Sequence, residues 1–415
     1  MILLLLGCHD ADGWLDEPCL AEFATDDVDP GVRTMQTQLA DDSGAWAIHV
    51  QLRWPAASPG PDDRWPIAVT LHGGWDQSGT PVDPGTSRVD PADGIVTIHM
   101  DLPGNGLSDG VNDRRGAESR GAVAQALAWA AGTVSDQGSC TVAARTRAGD
   151  PDQLYLVGTS NGGNLVAATL ADPSLDLPPL DGAVLWETPA GPQFANVELG
   201  LDPTVYEAGT CTVQPDAAIR CPYPAERLAW TRPGPAPAEF CFDLDDDADC
   251  TDADVIVHAT EDPISGAWML SPWITEDLAA IGADLEGYGT AAQADAWWAE
   301  RDAARAAPEL VALHPDLPLI LVASEEDHIQ TLVDHPHVYG LGEALQTSGA
   351  RWTRLNPGAR WLGGGPDNAP DAPLRLQAGA AGLLAEDDEN PLPSALSAAV
   401  LELADRQTNG DWESP

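Results

Sequence analysis

The chain contains no lysine. All 19 of its basic residues are arginine, set against 66 aspartates and glutamates, and the formal net charge is −47 over 415 residues. A surface of that sign repels nucleic-acid phosphates and anionic headgroups, which argues against a nucleic-acid function. It suits solubility in salty or calcium-rich surroundings, where carboxylates are screened. No apolar run is long enough to span a bilayer. No C-x-x-C pair occurs, so a thioredoxin-like or zinc-ribbon reading has no support. Internal repeats are also lacking, and no histidine follows His337.

Of the seven cysteines, Cys8 closes the apolar start Met1-Ile2-Leu3-Leu4-Leu5-Leu6-Gly7-Cys8. Leu5-Leu6-Gly7-Cys8 resembles a bacterial lipobox, in which the cysteine is the lipid anchor, although the run is short and no basic residue precedes it. Export follows as an expectation, to the cell envelope or the exterior, with any membrane contact made through that lipid. The other six cysteines are an even number, as disulfides in an oxidising compartment require. Short spacings suggest Cys211–Cys221 and Cys241–Cys250, which leaves Cys19–Cys140, though spacing alone does not fix connectivity.

Residues 1–8 therefore read as a shortened lipoprotein-type signal and 9–33 as an acidic tether. Apolar alternation predicts strands at Ala45–Leu52, Ile67–Leu71 and Gly94–Met100, and helical spacing predicts a helix over Ala117–Ala131. Leu154–Val157 and Ala183–Trp186 are further strands. Between Thr188 and Ala307 the alternation is lost among Pro, Asp, Cys and Trp. It returns at Pro318–Ser324, with a helix near Val338–Gln346 and a strand at Arg351–Leu355. Strands alternating with helices indicate a mostly parallel sheet covered on both faces. The expected organisation is an α/β core over 34–187 and 308–415, with a disulfide-containing cap over 188–307 across the carboxyl edge of the sheet.

The strongest chemical signal is Leu154–Ala171, LYLVGTSNGGNLVAATLA. A strand ends at Gly158, Ser160 stands between Gly158 and Gly162, and a helix starts at once. That is the context of a G-x-S-x-G nucleophile elbow, and the new helix aims its N-terminus at the serine. Gly106–Gly110 matches the same pattern by chance. Ser108 follows a loop, however, and precedes polar residues, so it reads as a loop serine.

These features resemble an α/β-hydrolase-fold serine hydrolase of the esterase, lipase and serine-peptidase kind. His72-Gly73-Gly74 after a strand is similar to an esterase oxyanion loop. Asp101-Leu102-Pro103-Gly104-Asn105-Gly106-Leu107-Ser108 is similar to a loop common in that superfamily. Leu319–Asp327 resembles the late strand that delivers the acid. The resemblance implies Ser160 as nucleophile, Asp327 as acid, and oxyanion donors at Asn161 and at Gly73 or Gly74, with a small-molecule ester or a peptide as substrate and no required cofactor. His72 is read as packing under its loop. In the family the histidine follows the last strand, near Asn356, where this chain has none. His328, His335 and His337 remain, and His337 is preferred because it opens a helix, with His335 next. The alternative is a catalytically impaired binding protein on the same fold.

Asp243, Asp245, Asp247, Asp249, Thr251 and Asp254 alternate as in an EF-hand-like calcium loop. Ala248 replaces the expected glycine and Asp254 the usual glutamate, so a structural calcium site competes here with a solvated acidic loop. Trp75, Trp186, Trp230, Trp268, Trp273, Trp297 and Trp298 gather in the cap and near the active edge, which leans towards an apolar substrate.

Overall fold

The computed structural model describes residues 19, 24–25, 31–40, 47–57, 59–60, 64–75, 89–195, 205–206, 209–231, 238–251, 254–323, 335–356 and 392–410. Cys8, Asp327 and His328 lie outside them.

In chain order come β1 (Ala24–Thr25), β2 (Val32–Ala40), β3 (Ala47–Pro55), β4 (Trp65–Leu71) and β5 (Val96–Met100). Helix α1 (Ala117–Ala130) and the short α2 (Val142–Thr146) follow. β6 (Gly149–Thr159) runs straight into α3 (Asn161–Leu170), then β7 (Gly182–Trp186) and α4 (Pro192–Ala195). The cap carries β8 (Thr212–Val213), β9 (Ile219–Arg220), β10 (Leu228–Thr231), β11 (Glu239–Phe242), β12 (Val255–Val257), β13 (Thr260–Glu261) and β14 (Trp268–Met269). Its helices are α5 (Pro272–Ala280) and α6 (Ala291–Ala299). The chain ends with α7 (Ala303–Leu313), β15 (Leu319–Val322), α8 (Pro336–Thr347), β16 (Thr353–Leu355) and α9 (Leu392–Asn409).

Nine strands form one sheet in the order β1-β2-β3-β5-β4-β6-β7-β15-β16. All pairings from β5 to β16 are parallel. β1, β2 and β3 join antiparallel at one edge. The central strands carry unbroken apolar runs, such as Leu154–Val157, Ala183–Trp186 and Leu319–Val322, because both faces are covered. Leu154 and Leu156 of β6, Ala183 and Leu185 of β7, and Leu319 and Leu321 of β15 share one core with α1, α3, α7 and α8. The alternate residues Tyr155, Val157, Val184, Trp186, Ile320 and Val322 meet Leu396, Val400 and Leu403 of α9. A three-layer α/β/α body results, as the alternation in sequence predicts.

The cap has an apolar centre of its own, where Phe240 and Phe242 of β11 pack on Leu270, Ile274 and Leu278. The β8–β9 hairpin instead belongs to the main core: its Ile219 fills the space beside Gly340 of α8, where a Cβ would come within 2.7 Å of it. α7 packs between α3 and α8, so core helix begins at Ala303. Three disulfides bond Cys19 to Cys140, Cys211 to Cys221 and Cys241 to Cys250. The first ties the segment before β1 to the loop that follows α1; the other two close short loops within the cap.

β2 and the three-stranded sheet β10-β11-β12 are not evident from the sequence. β2 has buried ends and partly exposed polar residues between them, so it shows no period of two. β3 is clearer, because Ile48, Val50, Leu52 and Trp54 face the core. Its other face carries His49, Gln51 and Arg53, all buried beside Thr97 and His99 of β5. His99 donates from Nδ1 to Thr70 Oγ1 at 2.6 Å, since that hydroxyl donates its own proton to Ile98 O.

Burial, with Arg53 adding to it, lowers the His99 pKa from 6.5 to about 3. The unfolded chain therefore binds a proton that the folded chain refuses, so this contribution is complete above pH 6.5 and is lost as pH falls towards 3. Wild type should lose about 2 kcal/mol more than His99→Gln between pH 6.5 and 5, measured by urea unfolding at each pH. Parallel curves for the two proteins would contradict this.

Candidate active site

β6 ends at Thr159 and α3 begins at Asn161, leaving one residue to reverse the chain. That residue, Ser160, has φ 52° and ψ −126°, a left-handed backbone that costs a non-glycine residue about 1–3 kcal/mol. Its N–H donates to Trp186 O at 2.8 Å, and its carbonyl accepts from Gly163 N at 2.8 Å. Thr159 Oγ1 donates to Leu71 O and binds the elbow to the end of β4.

The strain is held by close packing that only glycine permits. A Cβ at Gly158 would collide with the Gly162 carbonyl, and one at Gly163 with Thr188 Oγ1. A Cβ at Gly162 would lie 2.5 Å from Leu71 O and 2.7 Å from His72 O. Gly162→Ala should cost about 1–3 kcal/mol in urea unfolding, whereas Gly121→Ala in α1, with nothing within 4 Å, should gain about 0.5–1 kcal/mol. Equal effects at the two positions would refute this account of the elbow.

The loop His72–Trp75 leaves β4 directly beside the serine. A Cβ built on Gly73 would lie 2.9 Å from Ser160 Cβ and 3.5 Å from its Oγ. His72 donates from Nδ1 to Gly73 O at 2.7 Å. Burial, reinforced by the Arg115 guanidinium, lowers its pKa to about 4, so the ring is neutral at ordinary pH. Asn161, as first residue of α3, carries an N–H with no intrahelical acceptor. Its side-chain carbonyl accepts from Asn164 Nδ2, which also donates to Pro189 O. Asn161 and Gly73 thus both adjoin Ser160, one as its chain neighbour and the other across the gap from β4. Ser108 is engaged elsewhere. Its hydroxyl donates to Asp101 O at 2.7 Å and accepts from His49 N at 2.8 Å, so it anchors a loop to β3.

Asp327 and His328 fall outside the described residues. His335 and His337 are both enclosed at the start of α8, 1% and 0% exposed. Their ring centroids are 6.0 Å apart, and Phe194 lies 5.7 Å from His337. His335 has φ 37°. Among the residues that share that backbone habit are Glu187 (φ 39°) just after β7 and Asn356 (φ 69°) just after β16. Ser160, Glu187, His335 and Asn356 are all buried and lie beyond the carboxyl ends of β6, β7, β15 and β16. Strain of this kind gathers at functional sites. Glu187 was missed in the sequence because a lone glutamate after AVLW shows no pattern. Asn356 stands where the family carries its histidine. Its N–H donates to Leu321 O at 2.7 Å and its Oδ1 accepts from Ala323 N at 2.9 Å, joining the ends of β15 and β16.

In the acidic loop, Asp243, Asp245, Asp247 and Asp254 each bring one carboxylate oxygen within 4.8 Å of the others. Asp249 and Thr251 do not join them: Asp249 accepts from Cys250 N, and Thr251 donates to Asp254. Asp243 already accepts from the N–H groups of Asp246, Asp247 and Ala248. Ala248, where a calcium loop has glycine, adopts φ 62°. Partial desolvation and the neighbouring carboxylates, Asp247 first, raise the Asp245 pKa. Near the serine, Trp75 packs on Trp297 and Trp298 at 6.0 and 6.1 Å. Trp186 lies instead in the core under α9.

Sheet order, elbow and the glycine loop beside it define the α/β-hydrolase fold. No family model and no curated protein matches the chain. Among solved structures it is similar to esterase Est22, at 13% identity and TM-score 0.43, over 79% of this chain and 72% of the other. It is also similar to a variant of esterase rPPE, at 13% identity and TM-score 0.42, over 91% and 81%. A third is carboxyl esterase 2 from the mycorrhizal fungus Tuber melanosporum, at 12% identity and TM-score 0.41, over 80% and 76%. Likenesses this weak decide nothing about substrate, which has to be read from the site.

Proposed function

We propose that the protein is a serine hydrolase that cleaves carboxylic esters, or amide and peptide bonds, through an acyl-enzyme on Ser160. The observation that carries this reading is the strained serine at the β6–α3 turn, with the glycine loop packed against its hydroxyl. Such a turn stores strain at the one residue that a nucleophile elbow would expose to substrate.

In this mechanism Ser160 Oγ attacks the substrate carbonyl carbon and passes its proton to a histidine. The N–H groups of Asn161 and of Gly73 or Gly74 hold the oxyanion that forms. His337 is the proposed base, held in place by its enclosure against Phe194, and His335 is the neighbouring candidate. Asp327 is the proposed acid that fixes the imidazole tautomer. The histidine returns the proton to the leaving alcohol or amine, and water then releases the acyl group by the same route. Trp75, Trp297 and Trp298 would give the acyl or leaving group an apolar wall. No cofactor takes part in these steps. Three disulfides favour an exported setting, in line with the lipobox-like start.

A catalytically impaired binding protein on the same fold is the second reading. The observation in its favour is Asn356, whose side chain is committed to joining two strands where a histidine is expected.

A fluorophosphonate probe separates the two. Labelling of the native protein should vanish in Ser160→Ala and slow by about 10²–10⁴-fold in His337→Gln. Labelling that survives in His337→Gln but is lost in His335→Gln would move the base to His335. A wild-type protein that never labels would leave the binding reading in place.

A further inference from the structure

A buried arginine grips the loop that faces Ser160 from behind. Arg115 is 2% exposed and has φ 67°. Its Nη2 donates to His72 O at 3.0 Å and to Gly73 O at 3.1 Å, and also to Gly74 O. Its Nε donates to Gly74 O at 3.1 Å. A guanidinium is a rigid planar fork that stays charged, so it can draw several carbonyls to one side. In a trans peptide the N–H points opposite to the carbonyl. Turning the His72 and Gly73 carbonyls towards Arg115 therefore turns the N–H groups of Gly73 and Gly74 away from it, and those are the donors proposed for the oxyanion.

Arg115 is in turn supported by the cap. Arg301, two residues beyond α6, donates from Nη2 to Asp113 O at 3.1 Å and from Nε to Arg114 O at 2.8 Å. It also donates to Trp297 O at 3.0 Å, and its guanidinium lies 4.2 Å from the Trp297 ring centroid. Arg114 has φ 54°, so two successive residues of this turn are strained, and Arg301 lies directly across it. A second link is direct: Trp75, the last described residue of the glycine loop, packs on Trp297 and Trp298 of α6. Helix α6 thus reaches the loop by two routes, a polar one through Arg301 and Arg115 and an apolar one through the tryptophans.

We propose that Arg115 is a positioning residue that presets the oxyanion donors of Gly73 and Gly74, and that docking of α6 through Arg301 and Trp297 sustains it. The role rests on the hydrolase reading above, but the clamp on the loop does not, and the two are tested apart. The cap is then part of the catalytic frame at this end, so any movement that admits substrate takes place elsewhere in it.

The test compares wild type with Arg115→Lys, which keeps the charge but loses the fork, and with Arg351→Gln, an exposed control at the far end of β16. Two quantities are read: amide hydrogen exchange over residues 72–75, and turnover of p-nitrophenyl acetate. In Arg115→Lys, exchange in the loop should rise at least about tenfold with the rest of the chain unchanged. kcat should fall about 10²-fold while KM stays within about threefold. Arg301→Lys should move both in the same direction by less, and it serves alone if Arg115→Lys does not fold. Either change without the other overturns the positioning role. If wild type neither hydrolyses esters nor labels, the hydrolase reading fails and exchange alone decides the clamp: a faster loop upholds it, an unchanged loop refutes it.

Discussion

Everything at this site depends on how closely α3 crosses the end of β4. Gly162 lies where a Cβ would be 2.5 Å from Leu71 O, and Gly158 and Gly163 leave no more room. That contact forces the reversal of chain direction into a single residue, and the residue is a serine. It also places the first peptide of the glycine loop against the serine hydroxyl. A bulkier elbow would separate α3 from β4 and lose the donors on both sides at once. Strain at Ser160 and the pairing of the two donor sets thus follow from one packing constraint.

The same economy extends outward in layers. The neutral His72 and the charged Arg115 both donate to the back of the loop, so its carbonyls are satisfied away from the serine. Arg301 satisfies the carbonyls of the strained turn that carries Arg115. Each arginine spends its fork on backbone carbonyls, whose geometry a single ammonium could not match. In a chain with 19 arginines and no lysine, that use of the guanidinium gives the basic residues a structural meaning beyond charge balance.

Much of the architecture was legible because it rests on local regularities. The fully apolar runs of β4, β6, β7 and β15 announce a sheet covered on both faces, and the glycines around Ser160 announce a turn with no room for side chains. The cysteine spacings in the cap matched the bonded pairs because short loops leave few alternatives. What stayed hidden depends on tertiary contact. β2 pairs along its whole length but packs on the core through few residues, such as Met35 and Leu39, with polar residues between them, so its pattern is weak. The role of Arg115 and the strained backbone of Glu187 leave no mark on neighbouring residues, since the carbonyls that Arg115 meets lie 41 to 43 positions away and Glu187 bonds to Val322 across the sheet. Ser108 is the converse case: it matches the motif, and its hydrogen bonds to β3 and Asp101 show why a five-residue pattern cannot stand without the strand before it.

The histidine is the point at which motif and fold part company. β15 and β16 are parallel neighbours, about 4.8 Å apart in the hydrogen-bonding direction. The end of β16 and the end of β15 therefore stand a single strand spacing apart, a distance that a side chain or a short loop spans. Asn356 can then give up any chemical duty and tie the two strand ends together, as its bonds to Leu321 and Ala323 do. His335 and His337 are enclosed at the head of an ordered helix. The left-handed backbones of Ser160, Glu187, His335 and Asn356 mark four successive positions along that edge.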